Sequence, residues 1–254
     1  MKPKSLKTDL LGVLVLLCAT TLPVYAAGEV VSVRGNAYVT GAERNHELLK
    51  QGDFIGVDDT VETPANGFVD IAYDKEWNNV SHLEGNTEAT IRSVSPIELQ
   101  LHNGAIFARL KSLRGSTFSV FTPVAVASAR GTEFLTIHMG AQTTIFNFSN
   151  STVELAAKNA AGRILKPAAT VENGKKSSVP TLGQPPHNPV PMTKTEQEEG
   201  TQIKDELEKR LSELKSGNHT AWPVFNVIVI ALAVIFSVGF IVIIYSITRP
   251  KKRP

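Results

Sequence analysis

Ile97-Glu98-Leu99-Gln100-Leu101-His102 alternates apolar and polar residues without a break. Successive side chains of a strand leave opposite faces, so this run predicts a strand with one face in a core and one in water. Val69-Asp70-Ile71-Ala72-Tyr73-Asp74 nearly repeats the pattern, and Phe118, Val120, Val124 and Val126 carry it around Pro123. Val/Thr/Phe-rich runs at 133–139 and 142–148 are separated by Met139-Gly140-Ala141, and Ser149-Asn150 precedes Thr152-Val153-Glu154-Leu155. Short strands about every ten residues, with Gly or Asn between them, predict an all-β sandwich or roll of many short strands over residues 27–174. The alanines of 153–165 are compatible with a helix, but Asn159 and Gly162 fit a hairpin loop better.

Beyond that domain the composition changes. Residues 175–194 contain Pro180, Pro185, Pro186, Pro189 and Pro191 among Ser, Lys, Gly and Gln, which predicts an extended, semi-rigid linker. In 195–217, Ile203, Leu207, Leu211 and Leu214 recur at helical spacing, with the opposite-charge pairs Lys204/Glu208, Asp205/Lys209 and Glu206/Arg210 four apart and Gly217 as a stop. This is a short polar helix with one narrow apolar stripe. It reads either as a stalk pairing two copies through residues 201–216, or as a solvated or membrane-surface helix.

The two ends of the chain read as addresses. Lys2, Lys4 and Lys7 precede an apolar run from Leu10 to Leu22, then Pro23 and Val24-Tyr25-Ala26, the pattern of a signal peptide over 1–26 cleaved between Ala26 and Ala27. An uncleaved anchor is the alternative, but the run is short for a bilayer. Cys18, the single cysteine, lies inside that run, so cleavage leaves no thiol or disulfide. From Val224 to Ile247 no residue is charged. As a helix that stretch is about 36 Å long, enough to span a membrane. With Trp222 and Tyr245 near its ends it is expected as one C-terminal transmembrane helix over 222–248. Arg249, Lys251, Lys252 and Arg253 make 249–254 a basic cytoplasmic tail, so the N-terminal domain is expected in the periplasm or exterior of a single-pass protein.

The charge agrees with this division. Of 26 Lys+Arg and 24 Asp+Glu, the two ends take seven bases and one acid, leaving 19 against 23 between them. The middle thus lacks the clustered cations that nucleic-acid binding needs. His46, His82, His102, His138, His187 and His219 are dispersed without metal-ligand spacing, and no nucleophile elbow, phosphate loop or calcium loop is present. No cofactor is expected. Asp53, Asp58, Asp59 and Glu62 form an acidic cluster beside Gly52 and Gly56, and fit turns better than acid–base chemistry. The chain is expected not to be an enzyme.

One pattern recurs. Val30-Val31-Ser32-Val33-Arg34-Gly35 and Val126-Ala127-Ser128-Ala129-Arg130-Gly131 share the form V-x-S-x-R-G, in which glycine permits a turn and strand then resumes. Arg130 reads either as a brace for a corner of the fold or as a contact for an acidic partner. Ser116–Phe134, with Phe-x-Val-x-Thr-Pro leading into Arg130-Gly131-Thr132-Glu133-Phe134, resembles the core signature of the FecR domain family. Arg34-Gly35, Leu49 to Gly52-Asp53, Val61-Glu62-Thr63, Gly67, Asn86-Thr87 and Gly104 agree with it, so the resemblance spans about residues 28–157.

The resemblance implies a bacterial extracytoplasmic β-domain with Arg34, Gly35, Gly52, Asp53, Pro123, Arg130, Gly131, Thr132, Glu133 and Phe134 as family-motif positions. Family members that relay signals to sigma factors carry a cytoplasmic N-terminal domain ahead of their membrane helix. This chain has a signal peptide there and a short basic tail, so sigma-factor regulation is not expected to transfer. The expectation is a membrane-anchored domain that binds a protein or cell-wall partner in sensing or envelope organisation. The alternative is a subunit that couples ligand binding to a partner membrane protein.

Overall fold

The computed structural model describes residues 28–113 and 115–216. The expected signal peptide, its cleavage residues Ala26 and Ala27, the membrane helix and the basic tail lie outside the described residues. Among the described residues no helix is long and apolar enough to cross a membrane. Among the described residues, those up to Asp205 belong to one compact unit and those from Glu206 to a second.

In chain order the strands are β1 (Gly28–Arg34), β2 (Tyr38–Thr40), β3 (Glu47–Leu48), β4 (Phe54–Ile55), β5 (Thr60–Glu62), β6 (Phe68–Ala72), β7 (Asn79–Leu83), β8 (Glu88–Val94) and β9 (Ile97–Leu110). They continue with β10 (Phe118–Phe121), β11 (Ala125–Ala129), β12 (Glu133–Met139), β13 (Gln142–Asn147), β14 (Val153–Ala157), β15 (Ala169–Val171), β16 (Lys175–Val179) and β17 (Val190–Pro191). Helix α1 spans Lys194–Ser216. The pairings define two sheets. Sheet A runs β4-β1-β6-β7-β9-β12-β13-β16-β17. Sheet B runs β3-β2-β5-β8-β9-β10-β11-β14-β15. Only β9–β10 is parallel among these pairs.

The fourteen residues of β9 serve both sheets: Ile97–Leu101 pair with β8 and β10, and Gly104–Leu110 with β7 and β12. The alternation that predicts this strand is observed, with Ile97, Leu99 and Leu101 buried. The transfer between sheets occurs at Gly104, which has φ +99°. A side chain there would also meet the Thr87 hydroxyl, with Thr87 Cα at 2.6 Å and the Asn86 carbonyl at 2.7 Å. Between the sheets lies one core, in which Val30, Val69, Ile106, Phe134 and Ile145 of sheet A meet Val39, Val61, Leu99, Val120 and Leu155 of sheet B. The loop after β14 is the hairpin expected from Asn159 and Gly162: the Asn159 side chain accepts from the Ala161 and Arg163 amides, each at 3.0 Å.

The chain beyond Gly174 differs from expectation. Lys175–Val179, expected to begin an extended spacer, is strand β16 on β13, with Val179 in the core. The five residues place Ser177 and Val179 inward at period two, a signal masked by the prolines that follow. Those prolines lie outside β16, and Pro191 falls on the two-residue edge strand β17, where proline is tolerated. Helix α1 starts at a reciprocal cap: the Thr193 amide donates to Glu196 at 2.8 Å, and the Glu196 amide to the Thr193 hydroxyl at 3.3 Å. Its first turns do not leave the domain as a free stalk. Glu196 pairs with Lys176, Lys204 with Glu133 at 2.8 Å, and Gly200 lets the helix close onto the Phe148 ring. On the stripe, Leu207 and Leu211 are buried.

The bend at Gly104 leads to a direct expectation. Gly104→Ala combines positive φ with a backbone clash, and is expected to destabilise by about 3 kcal/mol or more. Gly52→Ala, with positive φ but open space around the new methyl, should cost only about 1–2 kcal/mol. Urea unfolding of both variants checks the ranking; equal losses would show that the crowding at Gly104 is unimportant.

Candidate functional site

The motif positions divide into corners, network and core. Both V-x-S-x-R-G runs are corners at which the chain changes sheet. After Arg34 and Gly35 (φ +78°) it passes from β1 in sheet A to β2 in sheet B; after Arg130 and Gly131 (φ +71°) it passes from β11 in sheet B to β12 in sheet A. Gly35 sits against Pro64 and Gly67, too close for a side chain. Both arginines are exposed, and among the described residues neither side chain has a hydrogen bond or ion pair. The glycines make these corners, and the arginines do not brace them. Gly52 and Asp53 tie a turn to β1: the Gly52 amide donates to the Val30 carbonyl and the Val30 amide to the Asp53 carbonyl, both at 2.8 Å. The Asp53 carboxylate accepts from the Lys50 amide at 2.8 Å.

Pro123 is exposed at the hairpin between β10 and β11, beside the fully buried Thr122. The Thr122 hydroxyl accepts from the Ala125 amide at 2.9 Å and lies 2.8 Å from the Thr143 hydroxyl, which is 3.0 Å from His138 Nδ1. Burial lowers the His138 pKa. This resembles a relay, yet both hydroxyls are sealed from solvent, so no substrate reaches them. Thr132, also buried, bonds Asn147 Oδ1 at 3.2 Å and contacts Ser149, while Asn147 donates to the Ser151 and Val171 carbonyls at 2.5 and 2.9 Å. Glu133 takes Lys204 of α1. Phe134 meets Phe118 edge-on in the core at 6.0 Å. Thus Thr132, Glu133 and Phe134 hold the fold together, and the sequence pattern alone did not show that Glu133 holds a helix.

Sheet A carries a second buried layer, largely aromatic and aliphatic, on its outer face. His82, Phe107, Leu135 and Phe146 lie in one cross-strand row, buried yet outside the main core. The residues of α1 up to Asp205 close over part of this face. The outer face of sheet B differs: Thr90, Gln100, Phe121, Glu98 and Glu154 remain accessible, with hydroxyl pairs such as Thr60–Thr90 at 2.7 Å and Ser119–Ser128 at 2.9 Å.

The described residues also form two clefts. One of about 570 Å³ lies among Asp74, Asn78, Asn79, Ser95 and Ser112. Its polar groups already bond each other: Asp74 accepts from the Asn78 and Asn79 amides, and the Asn79 side chain bonds Ser112. The other, about 300 Å³, is lined by Phe146, Lys176, Ser177, Ser178, His187 and Glu196, where Ser177 donates to the His187 carbonyl and Lys176 pairs with Glu196. Among the described residues no group of three His, Cys, Asp or Glu is placed to hold a metal ion.

Sequence reasoning missed one ionic cluster. Asp70 and His82 are register partners on β6 and β7, with His82 Nδ1 2.5 Å from Asp70 Oδ1 and Nε2 3.2 Å from Glu84 Oε1. Burial alone would lower the His82 pKa, but hydrogen bonds to Asp70 and Glu84, with their charges, outweigh it and raise the pKa from 6.5 to about 9. A charged imidazole donating from both nitrogens cannot serve as a base. The cluster is a structural ion triad.

The family model described as FecR protein matches residues 59–156, from β5 into β14. The match contains Pro123 and Arg130 to Phe134, and leaves Arg34, Gly35, Gly52 and Asp53 outside. No curated protein matches the chain. Three chains of known structure do. Two are crystal structures of a candidate anti-sigma factor from Parabacteroides distasonis ATCC 8503, each 12% identical with a TM-score of 0.42, covering 52% of this chain and 59% of that one. The chain therefore spans about six-tenths of the length of those structures.

The ion triad sets a pH dependence. Because the folded pKa of His82 lies above its unfolded value, its contribution is complete below about pH 6.5 and is lost as pH rises through about 9. Unfolding free energy should fall across that window by up to about 3 kcal/mol, at 1.36 kcal/mol per pKa unit. His82→Gln should be less stable at pH 6 and flat across the window. Chemical denaturation at several pH values reads this out, and an equally steep fall in the variant would refute it.

Proposed function

We propose, on the match of residues 59–156 to the family model described as FecR protein, that the chain is a non-enzymatic module that binds a protein or envelope component outside the cytoplasmic membrane, in sensing or envelope organisation. The observation that carries this reading is the asymmetry of the two faces. Sheet A buries its outer row, whereas sheet B leaves a polar, regular face open. The two buried polar systems that resemble catalytic machinery are a charged triad and a sealed hydroxyl relay. The apolar runs at 10–22 and 224–247, with the basic residues after the second, support export of the domain and one C-terminal membrane anchor.

A second reading is favoured by helix α1. Its first turns are fixed to the β-domain through Lys176–Glu196 and Lys204–Glu133, so a change in the domain on ligand binding would reach the start of the helix, from which it could pass toward a partner membrane protein.

Added protease should remove residues 28–216 from intact spheroplasts, as followed by an antibody to the domain; full protection would overturn the topology. A photo-crosslinking residue at Gln100, on the open face, should form adducts that the same residue at Phe146, on the covered face, does not. For the signalling reading, Glu133→Lys should weaken output and Lys204→Glu in the same chain should restore it. Unchanged output in Glu133→Lys would dismiss that reading.

A further inference from the structure

Between Ile91 and Ser93, strand β8 carries one residue more than the stretch of β9 opposite it. Ile91 pairs with Leu99 and Ser93 with Glu98, leaving Arg92 as a bulge. A bulge re-aims a side chain, and here the Arg92 guanidinium lies over the Phe121 ring of β10, 4.1 Å from its centroid. The next residue, Thr122, accepts a hydrogen bond at its carbonyl from Lys158 Nζ at 2.9 Å. Lys158 is held by its backbone as well: its amide donates to the Val124 carbonyl and its carbonyl accepts from the Gly183 amide, both at 2.8 Å. Two cations therefore bracket residues 121 and 122 at one end of the open face.

Elsewhere in the domain Lys175, Lys176 and Lys204 each have a glutamate. Among the described residues neither Arg92 nor Lys158 has an ion-pair partner, although Glu98 neighbours the bulge in register. Burial first, and then the charge of Arg92, push the Lys158 pKa down, as expected of like charges held together without a counter-ion. Apolar surface flanks the pair. Ile164, which bridges Lys158, is 55% exposed, and Leu182, which precedes Gly183, is 43% exposed.

We infer that Arg92 and Lys158, with the Phe121 ring, form a seat for one carboxylate of an acidic peptide segment whose neighbouring residues are apolar. The planar guanidinium offers a donor fork matched to a carboxylate, and its stacking on the ring fixes that fork. Lys158 adds a point charge, and Ile164 and Leu182 offer contacts to the flanking side chains. An anionic bilayer is a poorer fit. It is recognised by clusters of about four to eight cations, whereas this site has two on a domain whose residues 27–174 hold 12 basic against 16 acidic residues. The inference rests on the partner-binding reading above and supplies the partner's chemistry.

The test uses the purified full-length chain and a dansyl-labelled peptide of alternating Leu and Glu, followed by fluorescence anisotropy. The Glu peptide should bind at least about tenfold tighter than the same peptide with Gln at each Glu. Arg92→Gln and Lys158→Gln should each weaken it about tenfold, and inorganic phosphate should compete. Arg92 is exposed, so Arg92→Gln should keep the wild-type melting temperature and decides the matter even if Lys158→Gln fails to fold. No binding, equal binding of the Gln peptide, unchanged affinity in Arg92→Gln, or binding only to phosphatidylglycerol–phosphatidylcholine vesicles overturns the inference. If Gln100 still cross-links its partner in an Arg92→Gln chain, partner binding stands and this seat falls.

Discussion

A strand that belongs to two sheets cannot stay flat, and the bend of β9 at Gly104 is the constraint on which the rest of the domain depends. Before the bend its apolar residues alternate; after it Ile106, Phe107, Ala108, Arg109 and Leu110 are all buried. One strand thereby fixes the register of β7 and β12 on one side and β8 and β10 on the other. A residue with a side chain at position 104 would separate Asn86 and Thr87 from the strand just where the layers must meet. The two Arg-Gly corners complete this arrangement by moving the chain between sheets in opposite directions, so the core closes without long crossovers.

The same arrangement makes the two faces unequal. Sheet A continues past β13 into β16, and the chain returns over its outer side, where Glu133 and Lys176 hold α1 by ion pairs. Ion pairs that are part-buried and joined to a capped helix start contribute more than isolated surface pairs, which are worth little. Sheet B receives no such cover from the described residues up to Asp205, and its bulge at Arg92 presents a cation on a ring. A motif position and the proposed binding position need not coincide: Thr132 and Phe134 are sealed in the fold, whereas Arg92 lies within the matched residues 59–156 but is not one of the motif positions.

Much of the β-domain was legible because it follows from period two. Runs at 97–102, 133–139 and 142–148 appear as strands, and Asn159 and Gly162 close a hairpin loop as their turn chemistry requires. The strand at Lys175–Val179 was not legible, because its partner β13 supplies the order that composition denies it. Asp70 and His82 gave no motif, since their contact exists only once β6 and β7 pair in one register. Arg92 and Lys158 are distant in sequence, and a bulge cannot be read from residue types when any single extra residue produces it.

The sequence by itself determined the class of fold, the places where strands turn, and the strongly apolar stretches at the two ends, because alternation, glycine and hydropathy are local properties of the chain. Tertiary structure alone decided that β9 joins two layers, that α1 begins docked on the domain, and that Arg34 and Arg130 stand free while Glu133 carries a helix. Those outcomes depend on which groups neighbouring strands bring together, and burial and pairing across strands are set by the fold as a whole.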